Sequence, residues 1–252
     1  MAIYLKKFST HQEYETFTAT TAFIKPNVSI CTTEGDVHYN PYVDPYAGHD
    51  YVEIAGIKWA TMNVGANSVT DTGLYFQWGD INGYTASQVG SGEGQKYFGW
   101  ADYKYGNGTS GPSATGMTKY NSTDGKMVLD ASDDAVAAAW GGQWRMPTTA
   151  ECVALGNAVN TAWTASYQGS GVSGLVCTDK TDSSKVLFFP ACGICYNGSV
   201  NDVGSYGYYW SSSLNSSSVR YAYYLRFYNG KADWQLGYGD RYSGCSVRGV
   251  VG

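Results

Sequence analysis

The residues able to do acid–base, nucleophilic or metal chemistry are unevenly spread. All three histidines, His11, His38 and His49, precede Tyr51, so residues 51–252 hold no Ser-His-acid triad, no Cys-His pair and no histidine metal site of their own. The six cysteines, at 31, 152, 177, 192, 195 and 245, are too sparse and irregular for a disulfide scaffold in a chain of 252 residues. Cys192-Gly193-Ile194-Cys195 has redox or zinc spacing, but a second pair and a nearby histidine are missing, and the pair reads as structural. Carboxylates cluster at Asp130, Asp133 and Asp134, at Asp179 and Asp182, and at Asp233 and Asp240. Capping and turn formation account for the first two groups, while a glycosidase-like pair depends on a spatial separation that sequence does not give. The glycine-rich run Gly90 to Lys96 lacks the preceding buried strand and following apolar helix of a phosphate loop, and reads as a surface loop. No catalytic residue, metal ligand or cofactor is expected.

The chemistry that remains is contact chemistry. From Tyr206 to Arg248 the chain is crowded with Tyr, Ser and Gly, yet keeps a two-residue rhythm, which predicts strands. Tyr223, Leu225 and Phe227 share one face of a strand, and Tyr224, Arg226 and Tyr228 share the other. Asn229-Gly230 predicts a type I′ turn, after which Ala232, Trp234 and Leu236 oppose Asp233 and Gln235. One face is core-like; the other carries large amphipathic side chains with no evident folding role. Tyrosine offers a stiff contact area that loses little rotamer entropy on binding, while Ser, Gly and Asn adapt their hydrogen bonds, as in antibody paratopes. Tyrosine is also simply a good strand former, so an ordinary half-exposed sheet is the competing reading.

The elements that must position this hairpin are short. Tyr51–Ile54, Ile57–Ala60 and Leu74–Trp78 are expected strands, and Gly79–Gly125 a long loop region anchored by Tyr97, Phe98, Trp100, Tyr103 and Tyr105. Ser132-Asp133-Asp134 can cap a helix over Ala135–Trp140, and Thr148 with Glu151 forms a capping box for one over Ala150–Val159, with Cys152, Leu155 and Val159 inward. A further strand is expected over Lys185–Phe189. Residues 1–48 read as an arm or attachment module, with one helical turn at His11–Glu15, and residues 49–252 as the main domain. A net charge of −5 argues against nucleic acid or an anionic membrane as partner. No apolar run is long enough to span a bilayer, and the N-terminus lacks the apolar region of a secretion signal.

Six motifs carry a resemblance: Trp59-Ala60-Thr61-Met62-Asn63-Val64-Gly65-Ala66, Gly73-Leu74-Tyr75-Phe76-Gln77-Trp78-Gly79, Trp144-Arg145-Met146-Pro147-Thr148, Phe188-Phe189-Pro190-Ala191, Tyr209-Trp210-Ser211-Ser212-Ser213 and Ser246-Val247-Arg248. In this order they resemble Bacteroidetes and gut-phage proteins of the Fibrobacter succinogenes major paralogous domain type. The resemblance implies an α+β, C-type-lectin-like fold, related to formylglycine-generating enzymes, with short mixed strands, two short helices and long loops behind a small N-terminal arm. Within that group the tail is similar to the variable region, here about residues 209–248, of a target protein of a diversity-generating retroelement. An error-prone reverse transcriptase substitutes such regions at template adenines, which turns Asn codons into Tyr, Ser, Asp, Gly and others.

The resemblance implies a ligand-binding variable face made of Ser217, Tyr221, Tyr224, Arg226, Tyr228, Asp233, Gln235, Gly237, Tyr238, Gly239, Asp240 and Tyr242. It further implies a receptor-binding or adhesin component of a virion, or alternatively of a bacterial cell surface, that recognises a host-cell protein or glycan. The arm would attach to virion structural proteins, and related phage proteins imply a homotrimer. Copper-binding cysteines of the formylglycine-generating type do not map onto Cys192 and Cys195, and the Glu-Pro-Asn and Gln-Pro-Asp sugar triplets of calcium-dependent lectins are absent. Cys245 stands where an aromatic or aliphatic core residue is expected. A fixed-specificity glycan-binding module and a glycan-acting or sulfatase-modifying-like enzyme are the alternatives. On the diversified reading, changing Tyr224, Arg226 and Tyr228 together to Ala leaves the melting curve nearly unchanged.

Overall fold

The computed structural model describes residues 48–108 and 116–252, together with two short strands, β1 (Ser29–Ile30) and β2 (Asn40–Pro41), which pair antiparallel. The expected helical turn at His11–Glu15, and His11, Cys31 and His38 themselves, lie outside the described residues. The chain divides into two compact units, Met1–His49 and Asp50–Gly252.

The larger unit is a mixed α+β domain of short strands and two helices. It opens with a hairpin, β3 (Tyr51–Ile54) and β4 (Ile57–Asn63), whose turn residues Ala55 and Gly56 both have positive φ, as a type I′ turn requires. Its closing strand β13 (Arg248–Val251) returns to pair with β4, so the two ends of the unit share one sheet, ordered β13-β4-β3. Helix α1 (Ala135–Trp140) is capped by Asp134, whose carboxylate accepts from Val136 N and Ala137 N. Helix α2 (Thr149–Ala158) carries the full capping box: Thr148 accepts from Glu151 N, and Glu151 accepts from Thr148 N at 2.7 Å. Cys152 and Leu155 on α2, and Val159 just beyond it, are buried.

A second sheet, β5-β6-β7, consists of β5 (Val159–Thr164), β6 (Gly174–Asp179) and β7 (Val186–Pro190). A small hairpin follows, β8 (Ile194–Tyr196) and β9 (Ser199–Asn201), turning on Asn197-Gly198 with positive φ at both residues. The third sheet, β10-β11-β12, holds the Tyr-rich tract as β10 (Tyr206–Leu214), β11 (Tyr221–Tyr228) and β12 (Lys231–Asp240). The central core joins Trp59, Leu155, Leu175, Phe189, Tyr209 and Phe227, so one side of this third sheet is fastened to the other two. Cys245 is fully buried and serves as a small core hydrophobe in place of the expected larger residue.

Two local expectations are corrected. Leu74–Trp78 is not a strand; it makes only isolated bridges, Tyr75 to Tyr84 and Phe76 to Cys245. Phe76 N donates to Cys245 O at 2.9 Å, and Trp78 N to Arg241 O at 2.9 Å, so the segment is stitched to the end of the chain rather than laddered. Asn229-Gly230 does join β11 to β12, but Gly230 stays outside the left-handed region, so the turn is not type I′. A bulge between Arg226 and Tyr228 supplies the local twist that a primed turn would otherwise provide.

Candidate ligand-binding face

Cross-strand partners point to the same side of a sheet, so the register sorts the tract into two faces. Tyr206 pairs with Tyr228, Tyr208 with Arg226 and Trp210 with Tyr224; across the hairpin Arg226 pairs with Gln235 and Tyr224 with Gly237. These residues form the outer face. Tyr209 pairs with Leu225 and Leu225 with Leu236, and these belong with the buried Phe227 to the inner face. Trp234 is part-buried there, and its indole N–H donates to Cys152 O at 2.8 Å, which ties the edge strand to α2.

The outer face is an aromatic strip with one cation. Tyr206 stacks on Tyr228, with centroids 5.1 Å apart, and on Tyr208 at 5.8 Å. Tyr208 meets Tyr224 edge-on at 5.3 Å, and Tyr224 leans on Trp210 at 5.5 Å. Arg226 Nη2 donates to Gln235 Oε1 at 3.1 Å, and its buried Nε has no hydrogen-bond partner. Tyr206, Tyr208, Arg226, Tyr228 and Gln235 are all half-buried: held by neighbours, yet open to solvent. Burial first, then the nearby Asp202 and Tyr224, pushes the Tyr208 hydroxyl pKa up, so the ring stays a neutral hydrogen-bonding group at physiological pH.

The predicted variable residues are not gathered on one face, and strand alternation is the reason. Arg226, Tyr228, Gln235, Gly237 and Gly239 lie on the outer face. Tyr224 shares that side but is only 8% exposed, packed over Gly237 and Gly239, so the expectation that it can be removed without effect on melting is corrected by its burial. Tyr221, Tyr238 and Asp240 point to the inner side, where the sheet runs past the core; Tyr238 is 56% exposed and lies 5.3 Å from the Tyr221 ring. Asp240 there binds Arg220, Oδ1 to Nε at 2.5 Å, and the Arg220 guanidinium sits 5.5 Å over both Tyr221 and Trp100. Tyr242 packs edge-on against Trp100 at 4.8 Å, and Ser217 is exposed in the β10–β11 loop. The side chain of Asp233 lies outside the described residues.

Four residues of consequence were not among those predicted. Tyr206 and Tyr208 supply two of the five rings of the outer strip; their signal was the alternation of β10, which continues N-terminal to the variable tract. Arg241 is fully buried beneath the far end of the sheet. Its Nε donates to Tyr103 Oη at 2.8 Å, Nη1 to Tyr120 O and Val219 O, and Nη2 to Lys119 O, while the group stacks 4.8 Å over Trp78. One guanidinium thus locks the long loop region to the end of β12. Arg248 plays the same part at β13, donating to Asn63 Oδ1, Ala60 O, Thr61 O and Phe188 O.

The groups considered for catalysis occupy structural positions. Asp134 caps α1 and also accepts from Met146 N at 2.8 Å. Asp133 accepts from Lys104, Lys119 and Tyr120; burial opposes its ionisation, but these donors hold its carboxyl well below the usual range. Asp179 and Asp182 each accept from residues two positions on, as in tight turns. Cys192 and Cys195 are buried, and burial pushes both thiols up. Lys96, the last residue of the glycine-rich run, is itself buried and donates to Asp102 O at 2.9 Å. Among the described residues no group of three or more His, Cys, Asp and Glu is arranged to hold a metal ion, and no helix is long and apolar enough to cross a membrane.

No curated protein and no solved structure matches the chain. Residues 177–250, under a third of the chain, match the model of a family described as a domain of unknown function (DUF8237), a span running from within β6 into β13 that includes the whole Tyr-rich sheet.

Proposed function

We propose that this chain is a non-enzymatic, diversified ligand-binding protein of C-type-lectin-like type, which presents the outer face of the β10-β11-β12 sheet to a host-cell protein or glycan. The observation that carries this reading is the separation of roles along β11. Leu225 and Phe227 are buried on the inner face, while Arg226 and Tyr228 between and beside them stand half-open on the outer face. Outer residues can therefore change identity while the core that holds the backbone is left intact, because surface substitutions away from special features usually shift stability by only about ±0.5 kcal/mol. The half-buried tyrosines offer stiff, pre-ordered contact area, and Arg226 a cation seated among them. Placed on a virion through residues 1–48, or alternatively on a bacterial surface, repeated copies such as a homotrimer would raise weak single contacts by avidity.

The test is retention of fluorescent whole cells from a panel of gut bacteria on beads carrying the protein. Wild type should retain at least one strain, and R226A/Y228A/Q235A should lose it while its melting transition falls by only a few degrees. Undiminished retention by the triple variant would remove the outer face from the account.

A further inference from the structure

Tyr224 is carried by the central strand of its sheet, between Trp210 on β10 and Gly237 on β12. A β carbon added at Gly237 would fall 2.5 Å from Tyr224 Cε2, and one at Gly239 would fall 2.7 Å from Cε1. Both distances are far inside van der Waals contact. Neither glycine has φ in the left-handed region, so the backbone does not call for glycine at either place. The ring does. Glycine is a poor strand residue, and two of them so close together on an edge strand are explained by the aromatic ring that lies across them. Trp210 at 5.5 Å and Tyr208, edge-on at 5.3 Å, form the remaining walls. Together they enclose a flat seat the size of one ring, within the face that also carries Arg226 and Gln235.

We propose that residues 224, 237 and 239 form one specificity-determining unit, a seat for a single aromatic ring, which this protein fills with its own Tyr224 and which takes an aromatic side chain of a polypeptide ligand when residue 224 is small. This rests on the proposed binding role of the outer face. A ring at 224 excludes a side chain at 237 and at 239, so substitutions at the three positions are coupled: a large residue at 224 requires glycine at 237 and 239, and a small one frees them. Tyrosine at 224 closes the seat and leaves a flat aromatic surface; a small residue there opens a pocket. A ring-sized apolar cavity left by deletion of a core side chain can bind a matching aromatic molecule, which is the physical basis for the second state.

The test uses p-cresol, the side-chain analogue of tyrosine, titrated calorimetrically into the full chain and followed by thermal melting. Y224A should bind p-cresol at low millimolar concentration or better and gain several degrees in melting temperature; wild type should do neither, and Y224A/G237V should lose the binding. A parallel pair needs no cavity: G237A should lower the melting temperature of wild type but have little effect in Y224L, because leucine ends short of the ring Cε atoms. A folded Y224A that does not bind p-cresol, or G237A acting equally in both backgrounds, overturns the proposal. Neither arm uses the protein's natural ligand, so loss of cell binding and failure of the seat are separate results.

Discussion

Tyr206 lies over Tyr228 with 5.1 Å between ring centroids and 22° between ring planes, a stacked pair that joins β10 to the end of β11 next to the hairpin turn. The pair is half-open, whereas Tyr224, four residues earlier on the same side of the same strand, is buried. Like residue types on one face thus divide into contact surface and packing.

That division has a measurable consequence. Tyr228→Ala should cost about 1 kcal/mol, the scale of a partly exposed aromatic pair. Tyr224→Ala removes a buried ring and should cost about 3–5 kcal/mol. Urea unfolding of the two single variants checks the difference, and near-equal midpoints would place Tyr224 on the surface instead.

Arg241 should tolerate no replacement. Lysine keeps the charge but has neither the planar fork nor the reach to serve Tyr103 Oη and three carbonyls at once, so Arg241→Lys leaves buried acceptors unpaired and should cost about 3 kcal/mol or more. Arg220→Lys, at a half-exposed ion pair with Asp240, should cost under about 1 kcal/mol. Thermal melts of the two variants make the comparison.

Acid should loosen the start of α2. Burial pushes the Glu151 carboxyl upward, but hydrogen bonds from Arg145 and Thr148 outweigh it and hold the group below its usual range. A lowered folded value means stabilisation that is present above about pH 4.3, the ordinary glutamate value, and is lost as pH falls through the folded value. Glu151→Gln should therefore melt lower than wild type at pH 7 and approach it at pH 3; a gap that does not narrow would contradict the assignment.

At the alkaline end the sign reverses. Burial, followed by neighbouring Cys245, pushes the Tyr224 hydroxyl up to about 12. A raised folded value contributes stability that is complete below about pH 10, the ordinary tyrosine value, and is lost as pH climbs through the folded one. Tyr224→Phe cannot ionise, so its stability should fall less steeply than that of wild type between these limits, as followed by denaturant midpoints across that range.

Much of the frame was legible because its signals are local. The Thr148 and Glu151 capping box, the Asp134 cap and the inward Cys152, Leu155 and Val159 depend on spacings of a few residues, and the inner set of Leu225, Phe227 and Trp234 on simple alternation. What was not legible depends on register between distant strands. The burial of Tyr224 requires knowing that Gly237 lies directly opposite it, and the membership of Tyr206 and Tyr208 requires the pairing of β10 with β11. The departures at Leu74–Trp78 and Asn229-Gly230 are of the same kind, since one segment is claimed by the chain's far end and the other by a bulge. Arg241 looks like any other arginine in a polar tract until the loop region closes over it.

The central claim, diversification of the outer face, is tested most directly by sequencing the DNA on either side of the gene. The account predicts a reverse-transcriptase gene and a near-copy of the segment encoding Tyr209 to Arg248, differing from it only where the copy carries adenines. Those differences should fall on the codons of Arg226, Tyr228 and Gln235 and spare those of Leu225, Phe227 and Trp234. A locus with no such copy, or a copy whose differences fall on the codons of Leu225, Phe227 and Trp234, would contradict it.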